Sequence, residues 1–367
     1  MSKFINQMEP WFDEKEINAV NAYMHTGGWL TEYKKTEELE QMIAKYTGAR
    51  YCVMTVNGTV SLILALLALE IKSGDEVLVP DVTMIATPNS AILLGIKPVF
   101  VDIDQNTFCM DLNYAKTAIT PKTKAILYVS LNGRSGDMKE VEVFCREHGL
   151  FLIEDAAQSL GSYWNKKHLG TYGEIGTLSF AVPKIITMGQ GGALLTNNRK
   201  LYNRIKKLKD FGRARGGIDI HDEWGWNFKL TDLQAVVGIE QMKKLKFRIK
   251  RKKEIYKRYA EGLKNVEEVS FIQIDLSKTT PWSIDIFANN PDKLASYLKI
   301  KNIGTRRVYP AIHTQKIYQN KSYKGRFPIA EKYGRTGLWL PSSSRLTNKE
   351  IDYIVAAIRQ YYRGENN

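Results

Sequence analysis

Three groups of residues in this sequence have the types and spacing to do chemistry together. The first is Lys184, which closes Ser179-Phe-Ala-Val-Pro-Lys184 and is followed by Gly189-Gln-Gly-Gly192. A lysine that is partly desolvated or set near other cations keeps a larger neutral fraction, and a neutral amine can condense with an aldehyde to form a Schiff base. The same residues also read as a loop that a lysine merely caps. The second group is Glu154-Asp155, which ends the apolar run Leu150-Phe-Leu-Ile153. An acid at the carboxyl end of a parallel strand faces the crevice in which ligands of open α/β sheets bind. There Asp155 would hold a protonated ring nitrogen as a fixed anion, with Gln158 on the next turn within reach of the ring edge. A carboxylate that caps the following helix is the competing reading, and the motif alone does not separate the two. The third group is Asn57-Gly58-Thr59, where a strand gives way to an apolar helix. Unpaired N–H groups and the positive end of the helix dipole make such a turn a phosphate site, while Asn57 or Thr59 could equally serve as a plain N-cap. Ser179 would add its hydroxyl to the same phosphate.

Such groups need a frame, and the hydrophobic pattern supplies one. From Tyr51 onward short apolar runs alternate with amphipathic segments, which predicts an α/β fold with a mainly parallel central sheet. Residues 51–56, 76–80, 97–103, 124–131, 150–155 and 191–197 read as strands, and 61–71, 86–95, 112–119 and 138–149 as helices, with Gly48, Gly95 and Gly149 as stops. Several strands are apolar on both faces, as required when helices cover both sides of a sheet. Past Gly192 the pattern changes to long basic helices, one of them spanning about residues 230–263 and leading into a second unit. That unit carries strand signals at 269–274 and 283–288, a helix at 291–302 and a closing helix at 349–362. A chain of 367 residues accommodates two domains, expected as a large cofactor-binding one over 1–244 and a small α/β one over 245–367. The tail, 364–367, is expected to fray.

Composition narrows the chemistry. Cys52, Cys109 and Cys145 form no CxxC pair, and His25, His148, His168, His221 and His313 show no HxxxH or HExxH spacing, so neither a disulfide framework nor a metal site is expected. No apolar run approaches the roughly 20 residues that span a bilayer, and the first residues lack the order of a signal peptide, which points to the cytoplasm. The formal charge of +14 is concentrated in Arg199–Arg215 and Lys243–Arg258, both with apolar residues at helical intervals. That pattern reads first as solvated helix faces, next as a diffuse field that draws in a diphosphate-bearing substrate, and least as a nucleic-acid surface, since no recognised binding module accompanies it.

The order of the motifs carries more than any one of them. A glycine turn, a strand-end Asp with Gln three residues on, and Ser-Phe-x-x-x-Lys with a glycine cluster resemble the sugar aminotransferases of the DegT/DnrJ/EryC1/StrS family. The resemblance covers nearly the whole chain, from Gly27-Gly-Trp29-Leu30 through Pro80-Asp-Val-Thr83, Glu154-Asp-Ala-Ala-Gln158, Gly170-Thr-Tyr-Gly173 and Lys184 to Asn227-Phe-Lys-Leu-Thr-Asp232 and Ile303-Gly-Thr-Arg306 with Tyr309-Pro310 and His313. It implies the type I, aspartate aminotransferase-like fold and pyridoxal 5′-phosphate as cofactor. Lys184 would bind the cofactor aldehyde and shuttle protons, Asp155 would pair with the ring nitrogen, and Gln158 would touch the ring or its hydroxyl. Gly58, Thr59 and Ser179 would bind the phosphate, joined by Asn227 from a neighbouring subunit, so that a homodimer with shared sites is the expected working form. Arg306, Tyr309 and His313 would wall the nucleotide-sugar site, with Trp29 at its entrance and L-glutamate as amine donor. Within the family, Asn57-Gly-Thr-Val-Ser-Leu-Ile-Leu-Ala-Leu-Leu-Ala-Leu69 resembles the perosamine-type synthases, which aminate C4 of a 4-keto-6-deoxyhexose for O-antigen or other surface polysaccharide; a 3-keto sugar stays open.

The chain also departs from the family pattern. Met84 stands where an aromatic residue usually stacks on the cofactor ring, and Ser130-Leu-Asn132-Gly133 replaces His-x-Tyr-Gly, which puts the usual sugar contacts in question. Gln190 replaces a common Glu, a change that has no physical account. Dehydratases of the same fold carry a histidine in place of the lysine, so Lys184 speaks against that activity. A silent scaffold or nucleic-acid binder would have no need of Lys184, Asp155 and Ser179 together.

Overall fold

The computed structural model describes residues 3–319 and 326–364; residues 365–367 of the tail expected to fray lie outside the described residues. The central sheet consists of β1 (Tyr51–Thr55), β2 (Glu76–Pro80), β3 (Lys97–Val101), β4 (Thr123–Val129), β5 (Phe151–Asp155), β8 (Ile175–Ser179) and β9 (Gly192–Thr196). Their spatial order is β1-β9-β8-β5-β4-β2-β3, and β9 alone runs against its two neighbours. A small hairpin, β6 (Tyr163–Trp164) with β7 (Lys167–His168), lies outside it. The sheet is thus mainly parallel, as the pattern predicts. Strand β8 carries no mark in the sequence reading because Ile-Gly-Thr-Leu-Ser is short and broken by glycine, and the reversal of β9 has no local signature at all.

Helices α1 (Glu14–His25), α2 (Lys34–Thr47), α3 (Gly58–Ala68), α4 (Ala86–Leu93), α5 (Leu112–Ala118), α6 (Met138–Glu147) and α7 (Arg199–Lys209) accompany this sheet. Helix α3 is apolar on nearly every side, with Leu62, Ile63, Leu64, Ala65, Leu66 and Ala68 all buried, so burial rather than propensity holds it. Its start is capped by Asn57, whose side chain accepts from Val60 N–H at 2.9 Å. Helix α2 has no capping side chain of its own at Tyr33. Asp232 fills that role from far along the chain, accepting from the N–H groups of Tyr33 (2.7 Å), Lys35 (2.9 Å) and Thr36 (2.9 Å).

Asp232 also begins α8 (Asp232–Leu263), which runs unbroken through residues 244 and 245. Leu245 packs in the core of the large sheet, while Ile255, Tyr259 and Leu263 pack in a second core. That second core is built on a four-stranded antiparallel sheet, β10 (Val269–Ser270), β11 (Ile284–Ala288), β12 (Arg306–Arg307) and β13 (Gly337–Leu340), ordered β10-β11-β13-β12. Helices α9 (Pro291–Ile300) and α12 (Asn348–Tyr362) cover it, and α10 (Lys316–Gln319) and α11 (Pro328–Thr336) lie in the loops between. Only the first two residues of the predicted 269–274 strand pair in the sheet. The basic run of α8 is not simply a solvated face, because Arg248 and Lys252 are 3% and 1% exposed.

A polar clamp joins the two sheets. Arg134, just past β4, forms a salt bridge with Asp285 of β11 at 2.8 Å, both side chains being buried. Asn132 donates to Asp285 Oδ1 (3.0 Å) and to the Ser283 carbonyl (2.9 Å), and accepts from Ser283 N–H (2.6 Å). Asn132 adopts φ of 54°, in the left-handed region that Asn tolerates better than most residues. An Asp285→Ala chain would keep Arg134 buried without its anion, so we expect unfolding in denaturant to show about 3 to 5 kcal/mol less stability than the parent. A loss under 1 kcal/mol would show that the clamp is not load-carrying.

Candidate active site

The predicted residues converge where the parallel strands end. Asp155 is the last residue of β5 and is 6% exposed. Its Oδ2 accepts from the Thr87 hydroxyl at 2.7 Å and its Oδ1 from Ala157 N–H at 3.2 Å, so it is oriented from both sides. Thr87, in the first turn of α4, is in turn in contact with Thr83 at 3.0 Å between hydroxyls. Burial pushes the Asp155 carboxyl up from its ordinary value, while the Thr87 and Ala157 hydrogen bonds and the charge of Lys184 oppose that shift. An anion kept here calls for a cation against it. Met84, 44% exposed, accepts Thr87 N–H on its carbonyl at 3.0 Å and so stands one turn from this pair.

The neighbouring strand ends form a cradle. Gly58 and Thr59 are the first two residues of α3, so their N–H groups precede the first intrahelical acceptor and face outward. A Cβ on Gly58 would come within 3.0 Å of Ser179 Cβ, which places the helix start directly against the end of β8. A Cβ on Gly192 would lie 2.3 Å from the Asn57 carbonyl, and glycine is what lets β9 begin beside that turn. The cap reading and the anion reading are compatible here: Asn57 does the capping, leaving Thr59 exposed.

Lys184 sits in the loop after β8, half-buried, with its Nζ 4.8 Å from the centroid of the Trp282 ring. Burial pulls its amine down to about 8, and the Asp155 charge pulls the other way. At neutral pH this amine therefore holds far more of the neutral form than a surface lysine does. Arg306 lies over Trp339 at 5.4 Å and Tyr309 packs edge-on against the same ring at 4.9 Å. Burial pushes the Tyr309 hydroxyl up to about 12, with Arg306 lowering it and Asp155 raising it, so all three lie within electrostatic reach of one another. His313 is fixed by Asp81 at the end of β2, which accepts from its Nδ1 (2.6 Å) and its N–H (2.9 Å). Gln158, 5% exposed, accepts from Asn132 N–H at 2.9 Å.

Two predicted residues lie elsewhere. Trp29, 69% exposed, and Asn227 line a cavity of about 1150 Å³ between the N-terminal segment and α7, and Lys184 is not among its lining residues. The segment holding Trp29 is tied to the start of α8 through Asp232 N–H on the Leu30 carbonyl at 3.0 Å. Ser130 and Asn132, where the usual sugar contacts were put in question, are buried, at 0% and 3% exposed, and the Asn132 side chain is bonded to the inter-sheet clamp. Thr87, Asp81 and Trp282 were not singled out in the sequence. The first two had a signal, since Asp81 and Thr83 lie in a quoted motif and Thr87 is one helical turn on; Trp282 had none, being nearly a hundred residues from Lys184.

Comparison with known proteins finds relatives over nearly the whole chain. A model of the DegT/DnrJ/EryC1/StrS aminotransferase family matches residues 10–359. The GDP-perosamine synthase of Escherichia coli O157:H7 is 36% identical over 363 residues, covering 98% of this chain and 99% of that protein. The GDP-perosamine synthase of Vibrio cholerae is 30% identical, with 96% and 98% covered. Among solved structures, S. venezuelae DesV in complex with a ketimine intermediate superposes with a TM-score of 0.90 at 27% identity, over 97% of this chain and 98% of that one. The fold is the type I, aspartate aminotransferase-like fold anticipated from the motifs.

The Lys184 environment makes a prediction that needs no substrate. In cofactor-stripped protein, acylation of Lys184 followed by mass spectrometry should rise about tenfold per pH unit and level off above pH 8, where a surface lysine keeps climbing to about pH 10.4. Asp155→Asn removes the charge that holds the amine's pKa up, so the plateau should begin at lower pH. A plateau that moves upward would contradict the assigned pairing.

Proposed function

The chain belongs to the DegT/DnrJ/EryC1/StrS aminotransferase family, and from that premise we propose that it moves the amine of L-glutamate onto a nucleotide-linked keto sugar. We take the ketone to be a 4-keto-6-deoxyhexose and the product a perosamine-type sugar for surface polysaccharide or O-antigen, on the strength of the two GDP-perosamine synthases it resembles. The observation that carries the reading is the joint placement of a lysine with a depressed pKa, a buried strand-end carboxylate and the open start of α3.

The enzyme is pyridoxal-phosphate dependent, and its residues fit that group. A Cβ on Gly58 would crowd Ser179 at 3.0 Å, so the open N–H groups at the start of α3 lie beside the Ser179 hydroxyl, donors of the kind a phosphate requires. Asp155 suits a protonated pyridine nitrogen, and Lys184 is the amine for the aldehyde. Bound there, the cofactor supplies an electron sink for the carbon that gains or loses the amine. The chain's own share is proton management. Lys184, near pH 8, can take a proton at that carbon and return it, since a base works best when its pKa lies near the operating pH. Asp155 is kept from rotating by Thr87 and Ala157. Arg306, Tyr309 and His313 offer a cation and two polar rings on the side of β12, suited to a diphosphate and a sugar.

A homodimer with shared sites accounts for Trp29 and Asn227. Both line a cavity that Lys184 does not reach within one chain, so each would serve the Lys184 of a second copy. A two-fold interface makes such an exchange reciprocal.

Two experiments test the reading. Purified enzyme given glutamate and a panel of nucleotide keto sugars should convert the 4-keto-6-deoxyhexose to its amine, read by mass, and Lys184→Ala should lose at least about a thousandfold in kcat. No product with any keto sugar would overturn the assignment. Mixing inactive Lys184→Ala with Asn227→Ala chains should restore roughly a quarter of wild-type activity, because half the dimers then hold one intact site. Absence of complementation would remove the partner's Asn227 from the site.

A further inference from the structure

The loop that carries Lys184 is held by a residue remote in sequence. Trp282, 4% exposed, donates its indole N–H to the Pro183 carbonyl at 2.7 Å and lays its ring 4.8 Å from Lys184 Nζ. One side chain therefore fixes both the backbone just before the lysine and the amine at its end. Trp282 is itself held from three directions. Lys252 of α8 donates its ammonium to the Trp282 carbonyl and, at 2.6 Å, to the Ser342 carbonyl. Trp339 of β13 meets the ring edge-on at 5.3 Å. The next residue, Ser283, is bonded to Asn132 at 2.6 Å, so the same segment is tied into the inter-sheet clamp.

Lys252 is an expensive way to hold a carbonyl. It is 1% exposed and bonded to carbonyl oxygens rather than to a carboxylate, and burial pulls its amine down to about 7, with Arg248 adding to the fall. A methionine would fill similar space at α8 without that penalty, but it could not donate. Simple packing of a tryptophan would likewise need neither a bond to the residue before Lys184 nor a ring face under its nitrogen.

We propose that Trp282, anchored by Lys252, is a positioning residue for the Lys184 amine: its N–H locks the backbone at Pro183 and its ring face steadies the cationic form of the nitrogen. The inference rests on Lys184 carrying the amino transfer. A desolvated ammonium over an indole face gains from the ring quadrupole, and tryptophan offers the strongest such face. A reacting nitrogen displaced by about 1 Å can lose around a hundredfold in rate, so a rigid support is worth having even where it touches no substrate.

The test uses the holoenzyme. Trp282→Phe keeps a ring in place while deleting the N–H and weakening the face. We expect kcat to fall about tenfold with KM for glutamate and keto sugar within twofold, and the pH midpoint of the visible absorption band to fall by about half a unit. A kcat within twofold of wild type, or a midpoint that does not move, overturns the proposal. Lys252→Met decides independently from the other end of the strut: a fall in kcat of about threefold at unchanged KM supports it, and turnover equal to wild type removes Lys252 from the device. A colourless wild-type protein without turnover would instead strike at the aminotransferase reading, which keeps the two failures apart.

Discussion

Desolvation of one lysine is the constraint on which the rest of this structure depends. An amine pulled down to about pH 8 has to be shielded from water yet remain reachable, and the large sheet alone provides only one side of that shield. Strand β5 brings Asp155 and β8 brings the loop, but the cover comes from Trp282, at the entrance to β11 of the second sheet. The two sheets therefore cannot be independent beads on a chain. Helix α8 runs from one core into the other without interruption, and Arg134–Asp285 with Asn132 closes the seam beside it. The geometry around Lys184 is a product of that seam.

The basic character of the chain acquires a different meaning once the cations are placed. Lys209, Arg248 and Lys252 are each 3% exposed or less, and each donates to a backbone carbonyl: Met54 for Lys209, Trp11 and Ile185 for Arg248, Trp282 and Ser342 for Lys252. A buried cation without such acceptors would cost several kcal/mol, and these bonds fasten separate segments, with Lys209 paired in addition to Glu32 at 2.8 Å. Arg248 reaches the residue after Lys184 and Lys252 reaches Trp282, both from one face of α8. Part of the net positive charge is thus structural reinforcement around the lysine loop rather than a field for ligands.

What the sequence made legible follows from how local each signal is. The parallel strands, their covering helices, the Asn57-Gly58-Thr59 turn and the Asp155 strand end are written in runs of five to ten residues, and each appears close to where the pattern places it. Illegible features depend on partners far along the chain. Asp232 capping α2, β9 running against its neighbours, Arg248 and Lys252 turning inward, and Trp282 under Lys184 are each set by packing between distant segments, which period and propensity do not encode. Spacing could bring Lys184, Asp155 and Ser179 into one list of suspects. It could not say what holds them.

Asn132 shows what a departure from a family pattern can do structurally that spacing alone does not reveal. Its position follows β4 at the carboxyl edge of the sheet, where a changed residue suggests a changed ligand contact. Its side chain instead turns away to Ser283 and Asp285, and its backbone N–H engages Gln158. A tyrosine in its place would present a single hydroxyl on a rigid ring, whereas the carboxamide supplies two N–H donors and an oxygen that match Asp285 Oδ1, the Ser283 carbonyl and the Ser283 N–H together. The carboxamide therefore ties the end of β4 to the segment that carries Trp282. Met84 is the opposite case. It is 44% exposed one turn before Thr87, and its flexible, polarizable side chain is not drawn into the core.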